Sequence, residues 1–212
     1  FLLAISFSSH SFAQTLSVKL ADSDGNDLAD VVIELFGPEN VSLENIETND
    51  VEIDQVDKEF VPGITLITAG SRIRFPNSDD ILHHVYSFSS VKTFDTPLYG
   101  MADESQPAVS FDMPGVVEIG CNIHDWMLAY IYVGESDKMA ISDDSGVATI
   151  QNLQAGDYRL KVWHSRLSAD ENTMTQSITI SETQDTEVSL SLELIRDRRI
   201  RRAPSANRKR YR

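Results

Sequence analysis

Apolar and polar residues alternate along most of this chain. Leu16, Val18 and Leu20 interleave with Ser17 and Lys19, the period of two expected of a half-buried strand. The cluster Asp22-Ser23-Asp24-Gly25-Asn26-Asp27 is a turn signal. A second strand, Val31 to Leu35, stops at Gly37-Pro38, and residues 39–50 form a polar, acidic connection without a period. Val51 to Val56 alternates again. Strands are predicted at Ile64–Ala69 and Ser71–Phe75 around Gly70, at Val109–Met113, at Val116–Cys121 and at Leu128–Val133. Val117 and Ile119 share the Cys121 face of their strand. Ile81 to Phe88 is apolar and aromatic, broken by His83, His84 and Ser87, and residues 89–107 read as one long loop, a length usually tied to function. After the turn Asp143-Asp144-Ser145-Gly146, strands are predicted at Val147–Ile150, at Tyr158–Val162, around Ile178 and Ile180, and from Val188 to Leu194. No segment has a helical period. Short strands at close spacing, with turn signals between them, predict an all-β chain built of sandwiches.

Composition changes this picture little. Of 212 residues, 41% are hydrophobic and 24% charged, enough for packed cores. Charge changes it more. The net formal charge is −15, but residues 196–212 hold nine Arg/Lys and one Asp. The remainder is therefore strongly acidic, which repels nucleic acid and favours basic partners. The basic tail, 196–212, has no hydrophobic period and is expected to be disordered. It is either a solvated end or an anchor to an anionic surface. The opening FLLAISFSSHSFAQT is apolar, then small and polar, and ends Ser11-Phe12-Ala13 before Gln14. It resembles the core and cleavage site of a signal peptide. Residues 1–13 are then a signal-peptide remnant and the mature protein is exported, in the periplasm. No other apolar run nears the roughly 18–20 residues of a membrane span.

Export sharpens the chemistry of Cys121, the one cysteine of the chain. A lone thiol in an oxidising compartment seeks a partner or is occupied. His124 follows three residues later and Met127 three after that. One thiolate, one imidazole and one thioether on a tight turn suit a soft transition metal, and a second imidazole completes a mononuclear copper set. His83-His84 can supply it. Successive residues of a strand face opposite ways, so the strand itself leaves either histidine open as the ligand. His164 has no partner ligand nearby in sequence and reads as structural, and His10 would leave with the signal peptide.

These residues resemble the cupredoxins, the blue-copper superfamily of plastocyanin and amicyanin. Gly115 lies six residues before the cysteine, as a glycine does there, and the spacing of Cys121, His124 and Met127 is similar to amicyanin's ligand loop. Upstream, Asn77, Asp79, His83 and Val85 are similar to the family's Asn, acidic residue, His and Val. That register implies His83 as the ligand. Phe88, four residues after His84, fits the other register. His84 itself departs from the Asn or Thr common after the first ligand. The resemblance covers roughly residues 52–133. FPNSDDILHHVYSFS and PGVVEIGCNIHDWMLAYIYV also resemble a bacterial group named after methylamine utilisation. The resemblance implies a Greek-key sandwich holding one type 1 copper, cycling Cu(I)/Cu(II), on His83, Cys121, His124 and Met127. It also implies a redox partner protein docking near His124 and Trp126.

The flanking segments resemble a prealbumin-like or carboxypeptidase-regulatory-like sandwich, through Asp143 to Ile150 and Leu153 to Tyr158. Residues 14–50 and 134–195 are then one sandwich, with a copper domain at 51–133 inserted in it. An electron carrier is the leading expectation, because a copper held by four protein ligands has no open position for substrate. A module that stores, delivers or senses copper would use the same ligands. The sequence lacks the His-x-His pair of a multicopper cluster, and one Cys cannot build a binuclear purple-copper site. It shows no nucleophile triad, phosphate loop or paired carboxylates, so an enzyme is not expected.

Overall fold

The fold is that of a computed structural model, which describes residues 13–37, 48, 50–103, 105–168 and 172–196. Most of the segments read as signal remnant, acidic connection and basic tail lie outside the described residues. Those described form strands joined by turns, without an α-helix. The chain divides into two compact units, one taking residues 13–37 and 138–195, the other residues 48–137.

The first unit has two sheets around one core. In one, β1 (Gln14–Asp22) lies between β14 (Val147–Leu153), antiparallel, and β17 (Thr186–Leu192), parallel. The other runs β13 (Met139–Ile141), β2 (Val32–Phe36), β15 (Gly156–Trp163), β16 (Thr173–Ile180). Leu16, Val18 and Leu20 of β1 are fully buried, and so are Ile33 and Leu35, Leu160 and Val162. Their period of two is what puts one face of each sheet into the shared core.

Asp22 and Asp143 both close turns with a side-chain oxygen that accepts two backbone N–H groups, from Asp24 and Asn26 and from Ser145 and Val147. Gly25 and Gly146 supply the left-handed residues of these turns, at φ 84° and 70°.

The second unit shares its core between two further sheets. The larger runs β6 (Ile64–Thr68), β12 (His124–Gly134), β11 (Gly115–Cys121), β8 (Tyr86–Ser89), β9 (Lys92–Asp95). The smaller runs β10 (Ala108–Phe111), β7 (Ser71–Arg74), β3 (Asp50–Glu52). β6 and β12 are parallel, as are β3 and β7; the other pairings are antiparallel. A hairpin of β4 (Asp54–Val56) and β5 (Glu59–Val61) completes the unit. Ile73 and Phe111 of the smaller sheet join Val117, Ile119, Ala129 and Ile131 of the larger in one buried cluster, which also holds Cys121 and Met127.

Two local expectations change. The predicted strand Val51–Val56 is two strands, because Ile53 leaves one pairing before Asp54 enters the next. The predicted loop 89–107 contains β9, which pairs with β8 from Tyr86↔Asp95 to Ser89↔Lys92.

Gly146→Ala is expected to destabilise the chain by about 2 kcal/mol or more, since its Cβ would meet the Leu20 carbonyl and the Leu28 amide. Gly25→Ala, with open space around its Cβ, should cost only about 1 kcal/mol. The urea midpoints of the two variants check the ranking.

Candidate metal centre

β11 and β12 pair along most of their length, and their connection is short. Cys121 pairs with His124 across a two-residue turn, and the register slips between Gly120 and Cys121. Val117, Ile119 and Cys121, two residues apart along β11, all face the core. A third donor arrives from the stretch before β8. His83 exchanges both backbone hydrogen bonds with Tyr99, at 2.9 and 3.0 Å. That pairing fixes its backbone beside the turn.

The three donor atoms converge. His83 Nδ1 is 3.8 Å and His124 Nδ1 3.6 Å from Cys121 Sγ, and the two nitrogens are 3.2 Å apart. A circle through these points has a radius of about 2.1 Å, equal to a metal–imidazole bond and only a little short of the roughly 2.3 Å of a metal–thiolate bond. One ion can therefore reach all three atoms as they stand. His83 is fully buried, Cys121 is 3% exposed and His124 is half-buried. Two imidazoles and one thiolate that converge in this way are a donor set that suits type 1 copper. Among the described residues, no other group of His, Cys and carboxylate side chains has this convergence.

Hydrogen bonds outside the triangle orient it. His83 Nε2 lies 2.7 Å from Asp79 Oδ2. An ionised carboxylate only accepts, so Nε2 carries the proton and the Nδ1 lone pair faces the thiol. Burial pushes the Asp79 carboxyl up, but the bond from His83 and the amides of Lys58 and Asp57 outweigh it and hold the group below its ordinary range. Asn77 fixes Asp79 in turn. Its Oδ1 accepts the Asp79 N–H at 3.0 Å, and its Nδ2 donates to the carbonyls of Ile81 and Tyr99. Burial also holds His124 below the ordinary imidazole value, and the neighbouring His83 and Lys58 push the same way. The Tyr99 hydroxyl, donating to the Phe75 carbonyl, is pushed well above the phenol range by burial.

His84 takes no part in the triangle. Its Nε2 pairs with Asp95 at 2.6 Å, and its ring lies 5.8 Å from that of Tyr86. Phe88, which would anchor the His84 register as a core residue, is 83% exposed. Met127 is buried in the core cluster that holds Cys121. His164 lies in the first unit, where its Nδ1 accepts the Arg166 amide.

The outer side of His124 is apolar. An open depression beside it is lined by Ile81, Leu82, Met101 and Ile123, with Asp79, Asp80 and Asp103 also on its walls. Leu82, Met101 and Ile123 are each about half exposed. Trp126 is half-buried, with its ring 5.4 Å from that of His124. Sequence reasoning missed Leu82, Met101 and Ile123 because isolated apolar residues in loops carry no period.

Residues 139–188, in the first unit, match the family described as polysaccharide lyase family 4, domain II. No curated protein matches the chain. Among solved structures, the chain is similar to a copper-containing nitrite reductase from Thermus scotoductus, at 23% identity and a TM-score of 0.39, over 48% of this chain. It spans 27% of that enzyme's length. A purple cupredoxin from Nitrosopumilus maritimus is 20% identical over 40% of this chain and all of its own, with a TM-score of 0.37. Amicyanin from Paracoccus versutus is 15% identical over 47% of this chain and 97% of its own, also at 0.37. Each of these three matches covers less than half of this chain.

Proposed function

We propose that this is an exported type 1 copper protein that carries single electrons between redox partners. The observation that carries the reading is the buried triangle of His83 Nδ1, Cys121 Sγ and His124 Nδ1, already spaced for one ion. His83, Cys121 and His124 would hold the copper, with Met127 of the same core as a weak thioether donor. Bound copper supplies the one-electron change between Cu(I) and Cu(II), with thiolate and thioether favouring the first state and imidazole serving either.

The chain's own groups do the rest. Val117, Ile119 and Ile131 keep water from the thiolate side. Asp79 holds the His83 ring in one tautomer and one rotation. His124 brings the centre to the surface, and the apolar wall of Leu82, Met101 and Ile123 lets a partner approach closely. The acidic surroundings favour a basic partner. The signal-like opening supports the reading of an exported, periplasmic protein. The relatedness of the second unit to the methylamine-utilisation group, and of the first to prealbumin-like sandwiches, belongs to the same proposal.

With Cu(II), the purified chain should show an intense thiolate-to-copper band that ascorbate bleaches reversibly. Cys121→Ser should abolish that band, and a band that survives unchanged sinks the assignment. Met127→Gln should keep the band but lower the reduction potential, because a harder oxygen donor favours Cu(II). An unchanged potential would leave Met127 a core residue only. A carrier keeps its metal through repeated reduction and reoxidation, whereas a storage or delivery module surrenders it to a competing chelator at one of those steps.

Metal loading needs neutral imidazoles. In the metal-free protein, NMR titration should place His124 below about 6.5, the free imidazole value. The unfolded chain then binds that proton more readily than the folded one. Stability should fall as pH drops from the unfolded imidazole value through the lowered one of His124.

A further inference from the structure

The β4–β5 hairpin contributes no donor to the triangle, yet both imidazoles connect to it. Its tip is Asp57-Lys58, with φ at 53° and 63°. Two positive φ angles make the type I′ turn that two-residue hairpins usually fill with Asn-Gly or Asp-Gly. A lysine held at that φ is strained. Asp57 suits its place in that pattern but Lys58 does not, and a strained residue kept there suggests a use for the turn's backbone.

Three backbone groups of the tip are engaged with the centre. The N–H of Asp57 donates to Asp79 Oδ1 at 2.7 Å, and that of Lys58 to Asp79 Oδ2 at 2.9 Å. The same Oδ2 receives His83 Nε2. The Lys58 carbonyl accepts Trp126 Nε1–H at 3.1 Å, and the Trp126 ring lies against His124. The hairpin is itself fixed to the segment that carries Asp79. Gln55 N donates to the Pro76 carbonyl, Ser78 N to the Gln55 carbonyl, and Ser78 Oγ to Asp54.

We propose that the Asp57-Lys58 tip is the positioning element of the metal centre. Its two N–H groups lock the Asp79 carboxylate against His83, and its carbonyl locks Trp126 against His124, so one turn sets the rotation of both imidazoles. The inference rests on the copper reading of the triangle. It assigns the role to the backbone, not to the lysine side chain.

The experiment loads the full chain with Cu(II). It measures the dissociation constant against a competing chelator and the position of the thiolate band. Lys58→Pro removes the N–H and forbids the positive φ. It should weaken binding about tenfold or more, as loss of outer-shell partners does, and shift the band. Trp126→Phe keeps an apolar ring beside His124 but loses the bond to the tip, and should weaken binding severalfold. Lys58→Gly keeps the turn and should retain both the affinity and the band. If Lys58→Pro does not fold, Trp126→Phe decides.

Unchanged affinity and band in the folded Lys58→Pro protein, or in Trp126→Phe where that variant decides, overturn the proposal. So does a loss in Lys58→Gly equal to that in Lys58→Pro, which would move the role to the side chain. A wild-type protein that lacks the band overturns the copper reading and this proposal with it. A wild type that shows the band beside unaffected variants overturns this proposal alone.

Discussion

Three electron-rich atoms do not collect within 4 Å of one another unless the structure around them leaves little choice. Here the constraint is the short reversal between β11 and β12. It commits Cys121 and His124 to the same end of the sheet. The partner histidine then has to come from outside that hairpin. The paired backbones of His83 and Tyr99 deliver it, and the Asp79 carboxylate turns its ring. The apolar core beneath offsets the cost of this crowding. Ile73, Phe111, Val117, Ile119 and Ile131 are almost completely buried, and each such side chain contributes about 1.5–3 kcal/mol by leaving water. A site that is largely preformed needs little rearrangement to accept an ion or to change its charge.

The same core explains the division of labour among polar residues. Asn77 and Tyr99 are buried and bonded to backbone carbonyls. Buried polar groups are kept only when their bonds are made, and these two tie together the segments that carry Asp79 and His83. Neither touches the donor atoms. Their contribution is to make the position of His83 a property of the whole loop cluster.

Much of this was legible in the chain itself. The alternation of β1 and the apolar stretch of β11 and β12 follow from the period of two. The spacing of Cys121, His124 and Met127 by itself points to soft-metal chemistry. What stayed hidden depends on neighbours distant in sequence. β9 is four residues long and reads Lys-Thr-Phe-Asp, too short and polar to signal a strand without β8 beside it. β13 has three residues and owes its state to β2. The choice between His83 and His84 could not come from alternation alone, because alternation says that they differ, not which one faces inward. The link from Asp57-Lys58 to Asp79 spans some twenty residues and runs through backbone atoms, which no side-chain pattern reveals.

β9 also bears on how the molecule behaves in concentrated solution. Among the described residues it ends the five-stranded sheet, so one row of its backbone groups has no strand beside it. Such a border can recruit the same border of another copy and grow into fibres. The strand is short, and it begins with Lys92 and ends with Asp95. Charged residues at both ends of so brief an edge discourage a second chain from adding in register. Neutralising them would expose a site for self-association close to the aromatic pair Tyr86 and Phe88, so the charges guard solubility as well as local pairing.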